Sequence, residues 1–70
     1  MNRIAVTSST IRAAGHDEAS EILEVEFKSG GIYQYMNVPK SLYERFMAAP
    51  SKGKFLAQNI KDRYRTVKLR

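Results

Sequence analysis

Along residues 21–28, Leu23, Val25 and Phe27 alternate with Glu24, Glu26 and Lys28. That period of two is the signature of a half-buried antiparallel strand, one face on a core and one in water. Glu21, Glu24 and Glu26 then stand on the solvated side. Ser29-Gly30-Gly31 follows as a hairpin turn, because glycine reaches positive φ without a steric penalty. Ile32 to Val38 returns as a strand rich in β-forming residues. Upstream, Thr10 to Gly15 carries Ile11 and Ala13 on one alternation face and reads as a strand. His16-Asp17-Glu18-Ala19-Ser20 reads as the polar turn after it.

Turn length decides where Tyr33 and Tyr35 point, since a slip of one residue moves every side chain to the opposite face. A two-residue loop sets the tyrosines opposite Glu24 and Glu26. A three-residue loop with a glycine bulge sets them beside Val25 and Phe27 and leaves Gln34 facing water. The second is preferred, because it gathers the apolar bulk on one face and lets the phenol oxygens reach the sheet margin.

After Val38, Pro39 suits the first turn of a helix. Leu42, Tyr43, Phe46 and Met47 form an amphipathic stripe, and Pro50 ends that helix at Ala49. Ser51 caps a second helix that buries Phe55, Leu56 and Ile60. From Tyr64 to Leu69, Val67 and Leu69 alternate with polar residues, which fits either a fourth strand or a frayed basic tail. The fold class is therefore α+β: an antiparallel three- to four-stranded β-meander followed by two short helices packed on one face. Residues 1–70 make one domain, with 1–6 and 66–70 as fraying ends.

The length of 70 residues limits burial to roughly 60% of the unfolded surface. It leaves no room for a deep cavity, so any site is a groove, an edge or a loop. With no cysteine, disulfides and thiolate metal sites are excluded. A domain folding without such staples suits a reducing, cytoplasmic compartment. The first nine residues form neither a signal peptide nor a membrane span.

The net charge of +5 is unevenly spread. Residues 1–35 hold three basic groups against five acidic ones, net −2, whereas residues 36–70 hold nine basic groups against Glu44 and Asp62, net +7. A one-sided positive field points to a polyanionic partner, or simply to a solvated basic surface.

Ser51-Lys52-Gly53-Lys54 places two lysines in the first turn of a helix, where free backbone N–H groups and a glycine suit a phosphate oxygen. A plain serine cap with lysines in water is the alternative. The segment lacks the Gly-rich run and Gly-Lys-Ser/Thr ending of a nucleotide-binding P-loop. Lys61, Arg63 and Arg65, with Lys68 and Arg70, form a second basic cluster able to contact a phosphate backbone. Tyr33 and Tyr35 are either core residues or platforms for unpaired bases. Tyr64 lies between Arg63 and Arg65 and is the better stacking candidate by context. Ser8, Ser9, His16 and Asp17 are of nucleophile, base and orienter type. His16 and Asp17 are sequence neighbours in a turn, and no nucleophile elbow is present. A single histidine makes no conventional metal site, so the chain reads as non-catalytic, with no cofactor and no metal.

Taken in order, several of these residues resemble the KTSC domain: Ser8-Ser9 leading to Ile11, Gly15 with Asp17, Leu23-Glu24-Val25-Glu26-Phe27 before a glycine turn, and the central Tyr33-Gln34-Tyr35. Val38-Pro39, Tyr43, Ser51, Gly53, Phe55 and Ile60 continue the set. The resemblance runs from about Val6 to Tyr64. It implies a short module found at the C-terminus of some lysyl-tRNA synthetases and as stand-alone bacterial and phage proteins, for which RNA binding has been suggested. Two positions depart from it. His16 stands where tyrosine is often found, which assigns it to packing, and Ala57 stands where a polar residue, often asparagine, is expected.

The leading expectation is an RNA-binding module. Ser51, Lys52, Gly53, Lys54, Lys61, Arg63 and Arg65 would meet phosphates, and Tyr64, Tyr33 and Tyr35 would stack on bases. A protein-docking module, steered by the basic half, and capture of a small phosphorylated ligand at Ser51-Lys52-Gly53-Lys54 are the alternatives. No membrane partner is expected.

Overall fold

The computed structural model describes residues 2–70. Five strands, β1 (Ile4–Ala5), β2 (Ile11–Asp17), β3 (Ile22–Phe27), β4 (Ile32–Tyr35) and β5 (Thr66–Lys68), form one sheet in chain order. Every neighbouring pair is antiparallel. Helices α1 (Lys40–Ala48) and α2 (Lys52–Asn59) lie between β4 and β5 in sequence. They cover one sheet face, where Leu23, Val25 and Tyr35 meet Leu42, Phe46, Leu56 and Ile60 in a single core. Phe46, Ile60 and Val25 are fully buried, and each such side chain stabilises the fold by about 1.5–3 kcal/mol.

The hairpin between β3 and β4 takes the three-residue loop. Phe27 N–H donates to Gly31 O at 2.8 Å and Gly30 N–H to Phe27 O at 2.9 Å, leaving Lys28, Ser29 and Gly30 as the loop. Gly30 carries the positive φ, 102°. Tyr33 pairs with Val25 and Tyr35 with Leu23. The tyrosines therefore share the helix-covered face as expected, although Tyr35 sits one pair further from the turn than the sequence suggested.

Strand β2 departs from simple alternation. A bulge between Ile11 and Ala13 inserts Arg12, so Ile11 and Ala14, not Ile11 and Ala13, are the fully buried pair. The strand also runs on through His16 and Asp17, and the reversal falls on the next four residues, with Glu21 at φ 56°. His16 Nε2 lies 2.6 Å from Val38 O, and its ring stacks on Tyr43 at 5.0 Å, so it has the packing role expected of it.

Segments near both ends of the described residues are paired into the sheet. Of the two readings for residues 64–69, the strand is the one observed: Thr66 pairs with Tyr35 and Lys68 with Tyr33, and Leu69 N–H donates to Ile32 O at 2.8 Å. Strand β1, opposite Ala14 and Ala13 of β2, was not foreseen.

The face turned away from the helices also differs from expectation. Glu24 is only 7% exposed. Its carboxylate accepts from Arg3 and, at 2.8 Å, from Gln34 Nε2. Glu26 is half-buried beside Arg3 and Arg12. Neither Gln34 nor the two glutamates stand free in water, because β1 carries Arg3 across them.

Candidate nucleic-acid interface

A groove of about 630 Å³ opens between the β3–β4 hairpin and α2. Phe27, Lys28, Tyr33 and Tyr35 form the hairpin wall, and Gly53, Leu56, Ala57 and Lys61 the helical one. Ser9 and Thr10 lie on it as well. The local folding is simple. The three-residue loop brings Lys28 beside Thr10, whose carbonyl accepts its N–H at 2.8 Å. Helical spacing brings Gly53, Leu56 and Ala57 to one side of α2. Gly53 lets α2 pass close to Thr10: a Cβ at this position would lie 2.8 Å from Thr10 Oγ1, so a larger residue would force that side chain to turn aside.

Tyr33 and Tyr35 differ in what they offer. Tyr33 is half-buried, edge-on to Phe27 at 5.5 Å, with Lys68 Nζ 5.9 Å from its ring centroid. Tyr35 is 3% exposed, so its ring is core and cannot serve as a stacking platform. Its hydroxyl, however, has no hydrogen-bond partner among the described residues, and no buried side-chain oxygen is left unpartnered. The hydroxyl is therefore not fully buried, and Tyr35 is among the residues lining the groove. Burial, followed by the neighbouring Tyr33 and Asp62, pushes this phenol above its ordinary value of 10.0. It stays protonated at neutral pH and can donate.

The structure divides the residues expected to bind phosphate. Lys61 and Gly53 are on the groove, whereas Lys54 is exposed on α2 outside it. Lys52 is turned away, donating to Ala49 O at 3.1 Å at the end of α1. Ser51 caps α2, accepting from Lys54 N–H at 3.4 Å. Arg63 Nε donates to Gln58 O at 3.1 Å, and Arg65 is exposed just before β5. Tyr64 packs half-buried against the core, away from the groove. The residues of catalytic type are dispersed. Ser8 Oγ accepts from Thr10 and Ile11 N–H, His16 is held at Val38 O, and Asp17 accepts from Ser20. No group of three potential metal ligands occurs among the described residues. No helix of the described residues is long and apolar enough to cross a membrane.

Sequence reasoning missed Lys28, Ser9 and Thr10 as groove residues. The signal for Lys28 was its place beside the loop glycines. Ser9 and Thr10 gave none, because their approach to α2 is a tertiary event.

Charge pairing is unequal as well. Three acidic residues of the N-terminal half are paired: Glu24 and Glu26 with Arg3 and Arg12, and the exposed Glu18 with Lys40 at 3.7 Å. Among the described residues Lys28, Lys54, Lys61 and Lys68 form no ion pair, so the positive field is open around the groove.

Fold and groove define a small α+β module with one aromatic-walled, lysine-rimmed cleft. The chain belongs to the KTSC domain family, whose model matches residues 7–64. The crystal structure of a KTSC domain protein from Yersinia pestis superposes with a TM-score of 0.95 at 38% identity, covering 99% of this chain and 97% of that one. A Tsukamurella paurometabola protein is 42% identical over 64 residues, 91% of this chain and 96% of its own length. A lysine–tRNA ligase of Nostoc punctiforme is 35% identical over 57 residues, 81% of this chain but 10% of the ligase.

Proposed function

We propose that the domain is a non-catalytic module that binds RNA across its basic C-terminal half. The observation that carries this reading is the gathering of cations without ion pairs, Lys28, Lys61 and Lys68, around an aromatic cleft, while Glu24 and Glu26 are paired with Arg3 and Arg12 on the other side of the sheet. Cations free of internal partners supply sequence-independent phosphate contacts. Arg63 and Arg65 extend the same surface beyond the groove. The occurrence of a related segment in a lysine–tRNA ligase, a protein named for joining lysine to tRNA, favours RNA over DNA. The absence of cysteine suits action in a reducing cytoplasm.

The test is fluorescence anisotropy with a mixed single-stranded RNA and a tRNA at several salt concentrations. Binding is expected to weaken steeply with salt, with a slope that shrinks when Lys61, Arg63 and Arg65 become alanine. Absence of binding at low salt would overturn the reading and turn attention to a protein partner, for which the charge steers the encounter.

A further inference from the structure

Three features of the molecule offer themselves to a ligand: the sheet face bearing Glu24, the sheet edges at β1 and β5, and the groove. The Glu24 face satisfies its own polar groups through Arg3 and Gln34. The edge strands are two and three residues long, too short to template a further strand. The groove holds the Tyr35 hydroxyl, which has no hydrogen-bond partner among the described residues, beside aromatic and basic side chains.

We infer that the groove takes one unstacked nucleobase of a single-stranded RNA, with the base edge accepting a hydrogen bond from the Tyr35 hydroxyl and flanking phosphates held by Lys28 and Lys61. This rests on the RNA-binding reading and narrows it to a site. The volume of about 630 Å³ lies within the roughly 300–1,000 Å³ of small-molecule pockets. The walls are chemically those of a base site. Phe27 and Tyr33, edge to face, and Leu56 present apolar and aromatic surface to a π-face. Ala57 adds little bulk, leaving the helical wall open. A ring bound there meets the Tyr35 hydroxyl, fixed by a side chain that is 97% buried, being 3% exposed. A rigid donor with no protein partner favours a ligand that carries an acceptor at that depth, and the carbonyl and ring-nitrogen acceptors of the bases are such groups. Lys28 and Lys61 stand on opposite walls, one on the hairpin and one just past the C-terminal end of α2. A strand whose base enters the cleft would therefore run from one lysine to the other. In this arrangement the two tyrosines of Tyr33-Gln34-Tyr35 do different work: Tyr33 supplies surface, Tyr35 supplies the hydrogen bond.

The experiment compares three probes by anisotropy at low salt: a mixed-sequence single-stranded RNA, the same strand with abasic sites throughout, and inorganic polyphosphate. The wild type is expected to bind the RNA about 5- to 100-fold more tightly than the abasic strand, the range that base–aromatic stacking supplies. Tyr35→Phe keeps the buried ring and is expected to weaken RNA binding by about 3- to 10-fold with polyphosphate binding unchanged. Ala57→Phe, at an exposed helix position, fills the cleft and is expected to abolish the preference for RNA over the abasic strand. Equal binding of RNA and abasic strand by the wild type, or no effect of either substitution, would overturn the base site and leave the RNA-binding reading standing. No RNA binding at all would overturn both.

Discussion

Arg3, on the edge side of the sheet, donates through Nη1 to the carboxylate of Glu24 in the central strand β3. This contact spans β2 and ties the N-terminal segment to the middle of the fold. Removing Arg3 leaves a buried carboxylate with Gln34 as its main partner. Arg3→Ala is expected to cost about 1–3 kcal/mol, read as a lower urea midpoint. Glu24→Gln should lower stability in the wild type but recover part of the loss in the Arg3→Ala background. A second loss in that background would show that Glu24 is stabilised by something other than Arg3.

Gly15 stands against the backbone of Asn2, whose carbonyl oxygen occupies the space a Cβ would need. Backbone cannot rotate aside as a flexible side chain can, so Gly15→Ala is expected to displace β1 and destabilise by about 1–3 kcal/mol. Because the same displacement pulls Arg3 from Glu24, Gly15→Ala and Arg3→Ala should be less than additive in a double-mutant cycle. Full additivity would mean that the two act independently.

Replacing Lys28, Lys61 and Lys68 together by alanine is expected to reduce the log–log salt slope of RNA binding by about 2, from about 0.7 per phosphate contact on a single strand. Lys52→Ala, removing an ammonium already donating to Ala49 O, should leave that slope unchanged. The contrast separates groove cations from basic charge in general.

Burial pushes the phenols of Tyr35 and Tyr43 above their ordinary value of 10.0. The stability this contributes is present in full below the unfolded value and is lost as pH rises through the folded values. The urea midpoint should be flat through neutrality and fall above about pH 10. Tyr35→Phe should fall less steeply there. An identical alkaline decline in that variant would exclude Tyr35 as a contributor.

Much of this architecture is legible in the residue pattern, and the failures have physical causes. Leu23, Val25 and Phe27 announce β3, Gly30 announces the three-residue loop, and Pro39, Pro50 and Ser51 bound the helices. All of these are local signals. Arg12 gives no local sign that it is the extra residue of a bulge, so Ala14 was not distinguished from Ala13 as the buried partner of Ile11. Strand β1 is two residues long and too short to display a period. Its absence from the sequence reading also hid the burial of Glu24, since the residue that covers it is Arg3. For the site, the charge imbalance and the Tyr33-Gln34-Tyr35 centre were visible. That Lys52 turns to α1, that Tyr64 packs inward and that Lys28 joins Lys61 are consequences of how α2 lies on the sheet, which no short window contains.

Every pair of adjacent strands is consecutive in the chain, but one connection is long. β1 to β4 follow one another through short connections, whereas β5 reaches Tyr35 of β4 only after both helices intervene. Closing that longer loop costs more chain entropy than any hairpin in the fold, and it is secured by β5 together with backbone hydrogen bonds at Arg65, Leu69 and Arg70. Lys68, the cation above Tyr33, is thus placed by the one strand whose pairing waits on both helices. The charge beside Tyr33 therefore depends on the docking of α1 and α2, and anything that loosens the helices from the sheet also withdraws a cation from the cleft.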